Sequence, residues 1–185
     1  MDGNKRPTQV GLVNAAGRRC AGVGEVLLAD MAEAGAVYER RGGMEKVISF
    51  GCVGLEGDVS ACDAVVVALD VADAQFGELL GRLRAGCAVY VVCLCVECQA
   101  EEALATIYAL EEACDQRGLA WRGAFAIEDA QVIEPFAGMP RMGFWRRPVS
   151  EAVDCMLLAV RCGAEAGCVP VRQGWLRRLR ARLVR

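Results

Sequence analysis

Ala64-Val65-Val66-Val67-Ala68-Leu69 is an unbroken apolar run. A strand with one face in water alternates apolar and polar side chains, because successive residues point to opposite sides. A run with no polar break therefore reads as a strand covered on both faces, as in a parallel sheet held between two layers of helices. A second such stretch, Cys87 to Cys95, follows after a helical segment at about Asp73 to Arg84. Strand, helix and strand at this spacing make a right-handed parallel crossover.

The same pattern extends in both directions. Strands are expected at Gln9 to Asn14, Glu45 to Phe50, Ala64 to Leu69, Cys87 to Cys95 and Leu119 to Ile127. Between them, Val23, Val26, Leu27 and Met31 mark a helix from about Gly22 to Ala34, followed by the breaker pair Gly42 and Gly43. Leu104, Ile107, Leu110 and Cys114 mark another from Gln99 to Arg117, closed by Gly118. A last helix begins near Pro148, with the stripe Val149, Val153, Met156, Leu157 and Val160. The connection from Gly51 to Ala61 is irregular. The inventory predicts an α/β fold: a three-layer, doubly wound, five-stranded parallel sheet in one domain over residues 1–170, with 171–185 as a separate basic tail.

With 185 residues, 55% of them hydrophobic, the chain has material for one large core. Its apolar runs are too short to cross a bilayer, and Asp2, Asn4 and Lys5 stand where a signal peptide would be apolar. A cytoplasmic location is the expectation. Histidine is absent, which excludes Ser-His-Asp and Cys-His catalysis and histidine-ligated zinc. Most of the eleven cysteines lie in apolar stretches, where a free thiol behaves as a small hydrophobe. In Cys93-Leu94-Cys95-Val96-Glu97-Cys98, at the end of strand four, core thiols are the expectation and a redox or metal role is the alternative.

Strand one runs into a turn of small residues, Asn14-Ala15-Ala16-Gly17-Arg18, and helix one opens with Gly22-Val23-Gly24. Free N–H groups at a helix start, helped by the positive end of its dipole, can surround a phosphate, and small residues let the backbone come close. Any strand-to-helix turn in a doubly wound fold also favours small residues. The glycines fit neither the Gly-x-Gly-x-x-Gly register nor a Walker loop, so nucleoside triphosphates are not expected.

That turn, together with Arg146-Arg147-Pro148-Val149-Ser150-Glu151-Ala152-Val153-Asp154, resembles the flavodoxin-like NAD(P)H-dependent FMN reductase family from about Gln9 to Gly163. The family's phosphate loop is commonly Asn-Gly-Ser-Pro-Arg followed by Gly-Asn-Thr or Gly-Asn-Ser, and its last helix often starts Arg-Arg-Pro-Val-Ser-Glu-Ala-Leu-Asp. The resemblance implies strand order 2-1-3-4-5, non-covalent FMN, hydride transfer from NAD(P)H to a small-molecule acceptor, and a homodimer. Carried over by position, Asn14, Ala15, Ala16, Gly17, Arg18, Gly22, Val23 and Gly24 would hold the phosphate. Leu69, Asp70, Val71 and Ala72, with Cys95, Val96 and Glu97, would lie on the ring side. No side chain is identified as a catalytic acid or base.

The chain departs from the family where hydroxyl-bearing residues become Ala16 and Gly24, and where an asparagine becomes Val23. The family's Pro-x-Tyr after strand three is replaced by Leu69-Asp70-Val71-Ala72-Asp73. Cys52 looks like the remainder of a cysteine-rich iron-sulfur insertion, and one thiol cannot hold a cluster. These departures favour the alternative reading, a cofactor-less flavodoxin-like binding or assembly module.

From Arg172 to Arg185 there are six arginines and no acid. Since the net charge is −3, the rest of the chain carries −9. As a helix, Trp175 to Arg185 would place Leu176, Leu179 and Leu183 on one side. It could meet an anionic membrane surface, a partner subunit or the chain's own acidic body. The last is the expectation, because so short a helix is marginal alone. Nucleic acid is not an expected partner, given the acidic body and the lack of interleaved aromatics.

Overall fold

The computed structural model describes residues 8–41, 48–70, 76–96, 100–172, 174, 179 and 183. Its strands are β1 (Thr8–Ala15), β2 (Ile48–Val53), β3 (Ala64–Asp70), β4 (Ala88–Leu94), β5 (Ala120–Ile127) and β6 (Cys168–Val171). Its helices are α1 (Ala21–Arg41), α2 (Phe76–Arg82), α3 (Ala100–Asp115) and α4 (Arg147–Cys162). All paired strands are parallel, in the order β2-β1-β3-β4-β5-β6.

The alternation of side chains divides the core in two. Leu12, Val66, Ala68, Tyr90, Val92 and Phe125 face the layer that holds Val23, Leu27 and Met31 of α1 and Val149, Val153, Met156 and Leu157 of α4. Val13, Val65, Val67, Val89, Val91 and Cys93 face Leu79 and Leu80 of α2 and Ile107, Leu110 and Cys114 of α3. The stripe expected on α4 is buried throughout, and on α3 Ala103 takes the fully buried place expected of Leu104, which is half-buried.

The sheet has six strands, not five. β6 pairs with β5 through Ala124↔Cys168 to Ile127↔Val171. Gly163 closes α4 in the left-handed region at φ 64°, Gly163 N–H donates to Val160 O at 3.2 Å, and Ala164 N–H donates to Ala159 O at 2.9 Å. The buried Tyr90 hydroxyl donates to Ala164 O at 2.9 Å, fixing the exit from the helix. Gly123, at φ 109°, sits where the β4–β5 register shifts between Val89 and Val91. A Cβ on Gly123 would lie 2.6 Å from Gly167 O. The two backbones touch there, and that contact lets the chain enter the sixth strand.

Two other boundaries differ from expectation. β2 runs to Val53 instead of ending at Phe50, because its register with β1 continues from Thr8↔Ile48 to Val13↔Val53. Residues 45–47 lie outside the described residues. The irregular connection then spans 54–63 and stands where a crossover helix would be, burying Val59 and Cys62 against the sheet. It is tied down from α2 and the turn after it: the Arg82 guanidinium donates to the carbonyls of Leu55 and Gly57, and Arg84 Nε to Cys62 O at 3.1 Å. α1 continues well past Ala34 to Arg41, where its last turns meet α4 through Glu39 and Arg161 at 2.6 Å, with the Arg161 guanidinium 5.5 Å from the Tyr38 ring centre.

The Gly123–Gly167 contact yields a stability prediction. Gly123→Ala should lower the unfolding free energy by at least about 2 kcal/mol, through a strained φ and a collision with backbone, whereas alanine at the uncrowded Gly81 should have a far smaller effect. Urea unfolding of the two variants measures the difference.

Candidate functional site

The strand order places β1 between β2 and β3, so the connections leaving β1 and β3 diverge at their carboxyl ends and open a crevice there. Asn14↔Ala68 and Ala15↔Leu69 are the last register pairs beneath it.

Asn14 organises the turn. Its Oδ1 accepts the Ala16 N–H at 3.2 Å, and its Nδ2 donates to Ala21 O at 2.9 Å, linking the strand end to the first residue of α1. Cys20 N–H donates to Gly17 O at 2.9 Å, and Gly24 N–H to Cys20 O at 2.8 Å. The amides of Gly17, Arg18, Arg19, Ala21, Gly22 and Val23 have no hydrogen-bond partner among the described residues. They are the free donors of a helix start.

The two glycines of α1 play different parts. A Cβ on Gly24 would stand 2.4 Å from Asn14 Oδ1 and 3.3 Å from Ala68 Cβ, so glycine is needed for α1 to pack against β1 and β3. A hydroxyl-bearing side chain has no room at that position while Asn14 occupies it. A Cβ on Gly22 would meet nothing within 4 Å. Val23 is buried in the core, and Arg18 and Arg19 are exposed beside the free amides.

On the ring side, Leu69 is buried and Asp70 half-buried at the end of β3, while Val71 and Ala72 lie outside the described residues, as does Glu97. Cys95 is buried, and its backbone holds the β5 loop: its N–H donates to Ile127 O at 3.0 Å and its carbonyl accepts from Ala130 at 2.8 Å. Val96 is half-buried. Cys20 reports how these parts converge. Burial, reinforced by the negative fields of Asp70, Cys95 and Glu134 and opposed by Arg19, pushes its thiol up to about 12. It stays protonated at neutral pH, and the turn, β3, β4 and the β5–α4 loop meet around it.

Sequence reasoning did not single out the β5–α4 loop, residues 128–146. Asp129 takes a left-handed φ of 49°, and two single helical turns follow at Ala130–Val132 and Glu134–Phe136. Phe136 stacks on Trp145 at 5.0 Å between ring centres, and Phe144 meets Trp145 edge-on at 5.2 Å. The closely spaced aromatics of this loop were the available signal.

The stretch from Arg146 to Asp154 anchors that loop. Arg146 and Asp30 of α1 form a buried ion pair, and Arg146 Nη1 also donates to Ala137 O at 3.1 Å and Met139 O at 3.2 Å. Burial pushes the Asp30 carboxyl up, and Arg146 and Arg141 pull it back. Ser150 Oγ donates to Arg141 O at 2.5 Å, and Arg141 pairs with Asp154. Arg147 and Glu151 form an exposed pair at 2.8 Å. The motif holds the carboxyl-edge loop against α1 and places no free side chain in the crevice.

The sequence matches no family model. It also matches no curated protein sequence. Among solved structures, it resembles an oxidoreductase from Corynebacterium diphtheriae at TM-score 0.54 and 12% identity, over 84% of this chain and 96% of that one. That likeness shows the fold. A flavodoxin from Streptococcus pneumonia TIGR4 aligns at TM-score 0.42 and 11% identity, over 70% of this chain and 95% of that one. A short-chain flavodoxin associated with a bacterial microcompartment aligns at TM-score 0.42 and 13% identity, over 70% and 94%.

Elsewhere, cavities of about 320 and 460 Å³ flank β6 on its two sides, the first between α4 and the strand, the second near Trp121, Glu111 and Glu165. Neither reaches the crevice at β1 and β3. No group of three or more Cys, Asp and Glu side chains among the described residues is placed to hold a metal ion. Among those residues, no helix is long and apolar enough to cross a membrane.

Two measurements follow from this geometry. Gly22→Ala should stabilise the fold by about 0.5–1 kcal/mol, because it removes backbone freedom from the unfolded chain at an uncrowded helical position, while Gly24→Ala should destabilise it. Thermal unfolding of both variants tests the contrast. Iodoacetamide with mass-spectrometric readout should label Cys52, Cys155, Cys162 and Cys168 in the native protein, and Cys20, Cys62, Cys87, Cys93, Cys95 and Cys114 only after unfolding.

Proposed function

We propose that this chain is a flavodoxin-like redox protein that binds FMN by its phosphate at residues 17–23. The observation that carries this reading is that the amides of Gly17, Arg18, Arg19, Ala21, Gly22 and Val23, in the turn that follows β1 at the switch point, have no hydrogen-bond partner among the described residues. Arg18 and Arg19 are exposed beside them and would offset the phosphate charge. The residues fit an anion at the phosphate end: the donors are free, and Gly22 leaves space. Backbone donors replace the side-chain hydroxyls absent at Ala16 and Gly24. When bound, FMN supplies the hydride and electron transfer, and the chain supplies position and electrostatics. Asp70 lies close enough to raise the Cys20 pKa, so its negative field weakens the hold on an anion. NAD(P)H as hydride donor, a small-molecule acceptor, and a homodimer in which the flavin lies near the subunit boundary belong to the same reading.

One observation favours the second reading, a cofactor-less binding or assembly module. The Asn14 side chain already takes the Ala16 N–H and fills the inner side of the turn.

Titration of the purified protein with FMN, followed by flavin fluorescence, separates the two. Saturable quenching is expected, and Gly22→Asp should weaken binding about tenfold or more, by placing a carboxylate where the phosphate would sit. The same substitution should not lower the unfolding temperature, since an acid in the first turn of a helix is favourable and the position is open. Saturable quenching unaffected by Gly22→Asp would move the flavin elsewhere, and no quenching by the parent protein would leave the cofactor-less reading.

A further inference from the structure

We propose that the cavity between α4 and β6 is a binding site for a small carboxylate with an apolar body, held by contact within the cleft and by Arg172 at its mouth. The fold itself makes the gap. β6 is the strand added beyond β5, and Pro148, Ala152 and Cys155 lie at helical spacing on the side of α4 turned toward it. Ala152 and Cys155 are short side chains, so helix and strand stand apart and leave about 320 Å³.

Most of the lining is apolar. Phe125 and Met156 are its buried members, and Val169 is 55% exposed. A recess of this size falls in the range of small-molecule pockets, roughly 300–1,000 Å³. It has room for roughly ten non-hydrogen atoms at about 30 Å³ each.

Two charged side chains among the described lining residues decide the sign of the ligand. Glu151 is taken by Arg147 at 2.8 Å. Arg172 is 74% exposed, and its ion-pair partner Glu128 stands 3.6 Å away, beyond hydrogen-bonding distance. A guanidinium with five donors keeps room there for a ligand carboxylate. An apolar recess with one such cation at the entrance fits an amphiphilic anion: the body leaves water, while the carboxylate stays at the surface beside Arg172. A second copy of the chain fits less well, since it needs a broad complementary face and the feature here is a recess of small-molecule volume. The cavity lies apart from the crevice at β1 and β3, so the proposal does not rest on flavin binding.

Cys155 makes the cavity its own reporter, because it is an exposed free thiol in the lining, whereas Cys52, Cys162 and Cys168 are exposed elsewhere. Timed iodoacetamide labelling of the full-length protein with octanoate, octylamine or octanol, read by mass spectrometry at each cysteine, tests the proposal. Octanoate should slow the labelling of Cys155 saturably, leave the other three exposed thiols unchanged, and bind about fivefold more tightly than octylamine. Arg172→Gln should remove that preference and leave octanol binding as it was. Val169→Asp should weaken octanoate about tenfold or more, by setting a carboxylate in the cavity wall. Cys20, Cys93 and Cys95 should stay unlabelled in both variants, which reports an intact fold. No protection of Cys155, equal slowing at all four exposed thiols, equal protection by octylamine, a preference that survives Arg172→Gln, or protection untouched by Val169→Asp would each overturn the proposal. So would a Cys155 that is inert before any ligand is added, which would show the cavity already covered by protein. A dimer in sedimentation velocity that Val169→Asp dissociates would likewise overturn it, by assigning this face to a second copy.

Discussion

The rest of the structure depends on the complete covering of the central strands. β3 and β4 present apolar side chains to both faces, and each face has its own helix pair: α1 and α4 on one side, α2 and α3 on the other. With water excluded from both faces, the ladder must satisfy its own hydrogen bonds, and all the chemistry is displaced to the strand ends. Strand β1 sits where the order reverses, so its loop and that of β3 are drawn apart, and the crevice follows from topology before any side chain is chosen.

At that crevice the decisive side chain is Asn14. By accepting the Ala16 N–H and donating to the Ala21 carbonyl it ties the end of β1 to the start of α1. Its presence explains why position 24 is glycine: Asn14 Oδ1 already fills the space that a side chain there would use. The outer amides, from Gly17 to Val23 with Cys20 excepted, remain available. The crowding at Gly24 has one physical origin, the close approach of α1 to the strands beneath it.

Much of the architecture was legible because it is written in periodicity. The doubly apolar runs at 64–69 and 87–95 identify buried parallel strands, and the stripe from Val149 to Val160 gives α4 its buried face. The sixth strand was not legible: Cys168-Val169-Pro170-Val171 is short, contains a proline, and forms only because Gly123 and Gly167 let two backbones meet. The second strand runs on to Val53, past the expected end at Phe50, because β1, a distant segment, sets its register. Of the candidate site, the turn from Asn14 to Gly24 could be located from composition, but which of its amides are free depends on an asparagine rotamer. Arg146 illustrates the limit further. Its motif reads as a helix start, while its role, a buried pair with Asp30, joins residues more than a hundred positions apart.

The four-residue β6 also bears on how the molecule meets its own copies in solution. A twisted parallel sheet ends in two open borders, and a long, regular border is a template on which further chains can stack. Here one border is closed off by brevity and by Pro170, which has no amide hydrogen to give to an incoming strand. The extra strand therefore acts as a terminator, guarding the broader β5 from edge-to-edge polymerisation.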